Sequence, residues 1–92
     1  MAKFAVMLKI GDQATRDAVR PVHREYLQKI YAEGKLFEAG PFADGAGSLL
    51  IYEAADLAEA QAILAADPYS QNAGVIESAD VREWVRVFPQ GA

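Results

Sequence analysis

The order of its strand-like and helix-like segments constrains the fold of this chain more than any other feature of the sequence. Four segments are apolar runs with the alternation typical of strands, and two carry apolar residues at the three- and four-residue steps typical of helices. They follow one another as β-α-β-β-α-β. This order predicts an α+β fold of the ferredoxin-like type, with two helices on one face of a four-stranded antiparallel sheet.

The segment boundaries follow from glycine, proline and capping residues. The predicted strands cover residues 3–10, 35–42, 48–54 and 75–88, and the predicted helices cover residues 20–33 and 56–66. Pro21 places the start of the first main helix near Arg20, after a loose turn over residues 14–19, because proline is tolerated in a first helical turn. Asp56 is the predicted N-cap of the second helix. Residues 69–75 are expected to be loop.

The predicted strands are apolar on both faces. In the first strand, Phe4 and Val6 lie on one face, while Ala5 and Met7 lie on the other. The two helices cover only one face of the sheet, so a second layer must cover the other. In a chain of 92 residues, read as one domain over 1–92, we predict that this layer is a second copy. The expected assembly is a homodimer joined through the open sheet face.

The composition excludes several classes of function. The chain has no cysteine, which removes disulfides and cysteine-based metal sites and suits a cytoplasmic location. A net charge of −4 without a basic cluster argues against nucleic acid as a partner. No segment approaches the ~20 apolar residues of a membrane span, and the N-terminus is interpreted as a strand and not a signal peptide. With one histidine, neither a metal site within one chain nor a cofactor is predicted.

The predicted topology brings three distant parts of the chain to one end of the sheet. With a right-handed crossover, the start of the first helix, the end of the second helix and the turn between the second and third strands meet there. These places contain His23, Asp67 and residues 40–48. An imidazole held by a carboxylate is suited to general acid/base chemistry. The sequence leaves open whether the carboxylate is Asp67 or Asp44.

Other residues at this end are candidates for binding a small-molecule ligand. Backbone N–H groups near Gly45 and Gly47, together with Ser48, are placed to bind an anionic or carbonyl oxygen. Arg20 is placed to balance a substrate carboxylate. The aromatic side chains predicted to wall the pocket are Phe42, Tyr69 and Trp84.

Each candidate also has a structural interpretation. A lone histidine on an apolar helix face is most often a core residue, and an Asp-Pro step such as Asp67-Pro68 commonly ends a helix. Gly-Pro and Asp-Gly steps occur in many hairpins, and helix arginines are usually solvated. The alternative to an enzyme is therefore a non-catalytic dimeric module that binds a small ligand or supports a partner protein.

Three stretches in succession resemble the YciI-like (YCII-related) family. They are "RPVHREYLQKIYAEGKLFEAGPFADGAGSLLIYEA", "EAQAILAADPY" and "AGVIESADVREW", which together span nearly the whole chain. The resemblance implies a dimeric α+β barrel built from ferredoxin-like subunits. It also implies an active-site pair of His23 and Asp67, in a pocket lined by Gly40, Pro41 and Asp44.

The resemblance supports the site more than it supports any reaction. Most members of that family have no established reaction, and a few related proteins look like lyase-type enzymes acting on chlorinated aromatic breakdown products. Our leading hypothesis for this chain is a small enzyme of unassigned reaction, cofactor-free and of lyase or isomerase type. The His23–Asp67 pair would supply acid/base chemistry on a small organic acid or aromatic molecule.

Overall fold

A computed structural model describes residues 1–89 of the chain, which contain seven elements of secondary structure. They are β1 (Ala2–Ile10), α1 (Gln13–Ala32), β2 (Leu36–Pro41), β3 (Gly47–Ala54), α2 (Leu57–Ala65), α3 (Pro68–Gln71) and β4 (Ile76–Trp84). The sheet order is β2-β3-β1-β4, with antiparallel neighbours. The predicted ferredoxin-like α+β fold is confirmed. The predicted domain of residues 1–92 includes residues 90–92, which lie outside the described range.

The core lies between the two longer helices and one face of the sheet. In the central strand β1, the even-numbered residues from Phe4 to Ile10 are all buried. The antiparallel register sets Phe4 opposite Tyr52 and Val6 opposite Leu50 on β3, and these partners are buried as well. Burial of a large apolar side chain contributes about 1.5–3 kcal/mol, so this two-residue alternation fixes which face the helices cover. No helix within residues 1–89 is both long and apolar enough to span a bilayer.

Helix α1 begins at Gln13 and not near Arg20 as predicted. The Asp12 carboxylate caps it by accepting hydrogen bonds from the N–H groups of Ala14 (3.0 Å) and Thr15 (3.3 Å). Pro21 lies inside the helix. The predicted loose turn over residues 14–19 is therefore wrong: the Asp12 cap supplies the start signal, and an internal proline removes only one hydrogen bond from a 20-residue helix.

The Asp12 cap is predicted to make stability depend on pH. Hydrogen bonds from the Thr15 hydroxyl and then from the Thr15 and Ala14 N–H groups lower the pKa of Asp12 below its ordinary value of 3.8. This contribution is complete above the unfolded-state pKa and is lost as the pH falls through the lower folded-state pKa. Asn also caps helices but carries no charge. In urea unfolding, wild type should be more stable than Asp12→Asn at neutral pH and lose that advantage in acid; a pH-independent difference would contradict this.

Two other boundaries differ from the prediction. Residues 69–75 are not all loop, because Asp67 caps the short helix α3 and Pro68 occupies its first turn. Strand β4 ends at Trp84 and does not continue to residue 88. Its partner strand β1 begins at Ala2, and Trp84 pairs with Lys3. Only Ala2 of β1 lies beyond this pair, so little of the partner strand remains for residues after Trp84.

The second face of the sheet carries exposed, large apolar side chains. Met7 and Leu49 lie directly opposite each other on β1 and β3, with exposed fractions of 44% and 37%. Trp84 lies on the same face, because it pairs with Lys3, whose side chain alternates with the buried Phe4. The helices within residues 1–89 leave this face open, and the homodimer stays a prediction.

Candidate active site

His23 on α1 and Asp67 at the end of α2 form a buried hydrogen-bonded pair. His23 Nδ1–H donates to Asp67 Oδ1 at 2.8 Å, and the two residues are 6% and 0% exposed. An ionised carboxylate only accepts hydrogen bonds, so Nδ1 carries the hydrogen. In this tautomer Nε2 is the ring nitrogen without a hydrogen, and His23 lines a cavity described below.

Asp67 is held in place by the turn that ends one helix and begins the next. Its N–H donates to the carbonyl of Leu64 at 3.0 Å, while its Oδ1 accepts a hydrogen bond from the N–H of Tyr69 at 2.9 Å. The structural interpretation of the Asp-Pro step is thus correct, because Asp67 is the N-cap of α3. The same carboxylate oxygen also binds His23, so capping and contact with the imidazole coexist.

Tyr69 fixes the imidazole from a second direction. Its ring stacks on that of His23 with centroids 3.7 Å apart and planes 5° from parallel. Asp67 holds one edge of the imidazole and Tyr69 covers one face. The ring is thereby held by side-chain packing and a hydrogen bond, which is the arrangement that a catalytic group requires before substrate arrives.

Two tyrosines share the buried surroundings of the Asp67 carboxylate. Burial and then the charge of Asp67 raise the pKa of Tyr52, and the same two causes, followed by Glu33, raise the pKa of Tyr26. Tyr26 donates its hydroxyl hydrogen to the carbonyl of Ile63 at 2.6 Å. Tyr52 Oη and Asp67 Oδ2 have no hydrogen-bond partner within residues 1–89. Both phenols therefore stay protonated beside the carboxylate, in a region of low polarity where electrostatic effects are strong.

A cavity of about 250 Å³ lies against His23. Its walls come from α1, β2, β3 and the start of α3. The lining residues are Arg16, Arg20, His23, Arg24, Leu27, Ala39, Gly40, Pro41, Ser48, Leu50 and Tyr69. Asp67 is absent from this wall and reaches the cavity only through His23. Three of the lining side chains are arginines and none within the described residues is acidic, so the wall carries positive charge.

The structure brings most of the predicted site residues to this cavity but not Asp44. Arg20, Gly40, Pro41, Ser48 and Tyr69 line it together with His23. The Asp44 side chain turns back on its own hairpin and accepts a hydrogen bond from the N–H of Ala46 at 2.9 Å. Asp44 does not line the cavity, so its predicted place in the pocket wall is corrected, and of the two carboxylates that the sequence left open it is Asp67 that contacts His23.

The predicted glycine and aromatic walls are also partly corrected. Gly47 packs so closely against the Leu8 carbonyl that a Cβ there would clash, so this glycine permits strand contact and does not line the cavity. Gly45 is absent from the wall as well. Phe42 and Trp84 lie on or beside the open face of the sheet, away from the cavity, because side-chain direction alternates along a strand.

Comparison with known proteins places the chain in a family. Residues 2–85 match the family model of the YCII-related domain. The chain belongs to the YCII-related family. It is 40% identical over 83 residues to the protein YciI of Escherichia coli O6:H1 and to that of Shigella flexneri, covering 79% of this chain and 84% of each relative. The resemblance noted in the sequence is thus confirmed.

A solved structure supports the fold assignment of this YCII-related protein. It is 5-chloro-2-hydroxyhydroquinone dehydrochlorinase (TftG) from Burkholderia phenoliruptrix AC1100, in complex with 2,5-dihydroxybenzoquinone. The TM-score is 0.79 at 26% sequence identity, covering 91% of this chain and 94% of that chain. This YCII-related chain therefore shares the fold of that structure over nearly its whole length.

Sequence reasoning about this YCII-related protein missed two arginines of the cavity wall. Arg16, which is buried, and Arg24 line the cavity together with Arg20. The signal was available, because residues spaced by four lie on one face of a helix. The predicted loose turn over residues 14–19 removed Arg16 from the helix and thereby hid the pattern. The corrected start of α1 restores it.

Within residues 1–89, no three His, Cys, Asp or Glu side chains come together as a group that could hold a metal ion. The chemistry available at the cavity therefore consists of one imidazole, its carboxylate partner, guanidinium groups and the hydroxyls of Ser48 and Tyr69.

Proposed function

We propose that this protein is a cofactor-free acid/base enzyme of lyase or isomerase type, acting on a small organic acid or aromatic molecule. The observation that carries the proposal is the 2.8 Å hydrogen bond from His23 Nδ1–H to the buried Asp67 carboxylate, beside a cavity that His23 lines. This bond leaves Nε2 as the ring nitrogen that accepts a proton from a bound molecule.

The proposed chemistry assigns distinct roles to the residues around His23. Nε2 accepts a proton from the substrate, and the Asp67 carboxylate stabilises the imidazolium that forms. In an elimination, the electron pair of the broken C–H or O–H bond shifts into the substrate while the leaving group departs as an anion. In an isomerisation, His23 returns the proton at another atom. The guanidinium groups on the cavity wall stabilise the negative charge that develops on the substrate.

The dehydrochlorinase of similar fold supports this class of reaction. Loss of HCl combines removal of a proton with departure of chloride, so it needs a base and no redox cofactor. The molecule named in that complex, 2,5-dihydroxybenzoquinone, has a single ring. An apolar cavity of roughly 150 Å³ accommodates benzene, so the 250 Å³ cavity of this chain has room for one substituted ring.

The His23→Gln variant tests the proposal. Wild type and variant are incubated in D₂O with 5-chloro-2-hydroxyhydroquinone, its unchlorinated analogue and a set of small hydroxylated aromatic acids. Chloride release is followed with a chloride-selective electrode, and loss of C–H signals is followed by proton NMR. We expect conversion or exchange by wild type and a rate at least about 100-fold lower for His23→Gln, because a general acid/base contributes about that much or more. Lys29→Gln, an exposed change on the same helix, serves as the control.

Two outcomes would overturn the enzymatic proposal. One is an equal rate for wild type and His23→Gln. The other is binding of these molecules in the cavity, seen as shifts of the Tyr69 and His23 resonances, with no conversion of any of them. The second outcome would favour the alternative, a non-catalytic module that binds a small ligand.

We also propose that the protein works in the cytoplasm. The support is compositional: the chain has no cysteine, which suits a reducing compartment. Localisation of a fluorescent fusion in the source cell tests this, and a signal confined to the envelope would contradict it.

A further inference from the structure

Three arginines form a row along one face of α1, beside His23. Arg16, Arg20 and Arg24 are spaced by four residues, so their side chains emerge on the same side of the helix, about 6 Å apart along its axis. All three line the cavity. The protein as a whole has a formal net charge of −4, whereas the wall of this cavity carries the positive charge of three guanidinium groups.

The three arginines differ in how their guanidinium groups are already engaged. Arg16 is buried; its Nε donates to Asp17 Oδ1 at 2.8 Å and its Nη1 donates to the Gly45 carbonyl at 3.1 Å. Arg20 Nη2 lies 3.3 Å from the same oxygen, Asp17 Oδ1. Arg24 forms no ion pair with any residue in the described range 1–89. Asp17 thus partly neutralises two of the arginines and leaves the third for a ligand.

We propose that Arg24 anchors an anionic group of the substrate and that Asp17 limits the strength of this anchor by holding Arg20. The proposal rests on the proposed function, since it names the substrate class of the same cavity: a one-ring aromatic molecule bearing a carboxylate. A guanidinium binds a carboxylate through two parallel hydrogen bonds. Apolar side chains on the same wall, including Leu27, Pro41 and Leu50, provide contacts for a ring.

The position of Arg24 next to His23 separates binding from proton transfer. Consecutive helix residues point in directions that differ by about 100°, so Arg24 and His23 approach a ligand from different sides. An anion held by Arg24 is therefore kept away from His23 Nε2, and another atom of the ring is presented to the base. Arg24 is in this sense a specificity-determining residue, and Asp17 a positioning residue that acts through Arg20.

Calorimetric titration with matched probes tests the anchor. The probes are 2-hydroxybenzoate and its neutral analogue 2-hydroxybenzamide, at low ionic strength. We expect wild type to bind 2-hydroxybenzoate about tenfold more tightly than 2-hydroxybenzamide. The Arg24→Gln substitution should lower the affinity for 2-hydroxybenzoate about tenfold and leave the affinity for 2-hydroxybenzamide unchanged. The Asp17→Asn substitution should raise the affinity for 2-hydroxybenzoate roughly two- to fivefold, because it removes a surface ion pair that holds Arg20. Lys29→Gln removes one positive charge from α1 outside the cavity and should change neither probe.

Several results would overturn the anchor. The first is no measurable binding of 2-hydroxybenzoate to wild type, and the second is an equal affinity of wild type and Arg24→Gln for it. The others are a lower affinity of Asp17→Asn for 2-hydroxybenzoate, and equal losses of affinity in Arg24→Gln and Lys29→Gln. Gln is a good helix former at the exposed Arg24 position, so the variant is expected to fold. The titrations measure binding and need no turnover, so they are independent of the test of His23. The role of Arg24 can be supported even if conversion does not depend on His23, and it can be contradicted even if conversion does.

Discussion

Replacement of Asp67 by Asn is expected to lower turnover by roughly 10²–10⁴-fold while the fold is retained. The same substitution beside a catalytic histidine costs about 10⁴ in a serine protease. Asn has the shape of Asp but lacks its charge, so the imidazolium formed at His23 loses its stabilising partner. If the Asn amide turns its NH₂ toward Nδ1, the imidazole must carry its hydrogen on Nε2 and can no longer accept a proton there.

The effect is measurable on the histidine itself. The chain has a single histidine, so the imidazole nitrogen resonances of untagged protein belong to His23. In wild type at high pH we expect the tautomer with hydrogen on Nδ1, and in Asp67→Asn a different or mixed tautomer. Asp56→Asn is the matched control, since Asp56 caps α2 by accepting from the N–H of Glu59 at 2.8 Å but lies away from the cavity. An unchanged tautomer together with an unchanged rate would limit Asp67 to capping α3.

Leu49→Asp is expected to convert a homodimer into monomers. We propose that two copies pair through the open face of the sheet, on which Leu49 lies opposite Met7 and near Trp84. Loss of one buried leucine costs about 1.5–3 kcal/mol, and two-fold symmetry removes two of them. The two losses together amount to about 3–6 kcal/mol, so the dissociation constant should rise by roughly 10²- to 10⁴-fold.

Sedimentation velocity or light scattering over a dilution series measures this change. Leu57→Asp is the matched control, because Leu57 is a similarly exposed leucine, 44% against 37% for Leu49, but lies on α2. A wild-type protein that is monomeric at about 10 µM, a concentration far above the Kd of a stable dimer, would contradict the proposed dimer. Equal dissociation by both variants would place the interface elsewhere.

Connectivity places His23 near both Asp67 and Asp44 without deciding which carboxylate contacts it, and it does not predict the extent of α1. The order of elements and right-handed crossovers bring the end of α2 beside α1 whatever the local side-chain geometry. Pro21 by itself predicts a start of α1 near Arg20, whereas the Asp12 cap sets the start at Gln13. Propensity rules treat each residue locally, but a 20-residue helix packed on a sheet tolerates one missing hydrogen bond.

The directions of Asp44 and Phe42 could not be predicted for a related reason. The hydrogen bond from the Ala46 N–H to Asp44 depends on the turn conformation, which the residue types alone do not determine. The register between β2 and β3 shifts between Leu36 and Glu38. Such an irregularity changes which residues of β2 face the helices, so simple alternation fails to assign Phe42 to a face.

One carboxylate oxygen links the integrity of a helix end to the chemistry of the cavity. Oδ1 of Asp67 accepts hydrogen bonds from both His23 Nδ1 and the Tyr69 N–H, while the Tyr69 ring covers the imidazole. Local opening of α3 would therefore release the base from its partner and its stacking neighbour in the same event. The fraction of molecules competent for proton transfer cannot exceed the fraction in which this four-residue helix is closed. Substitutions in α3 that never touch the substrate can thus lower the observed rate by changing that population.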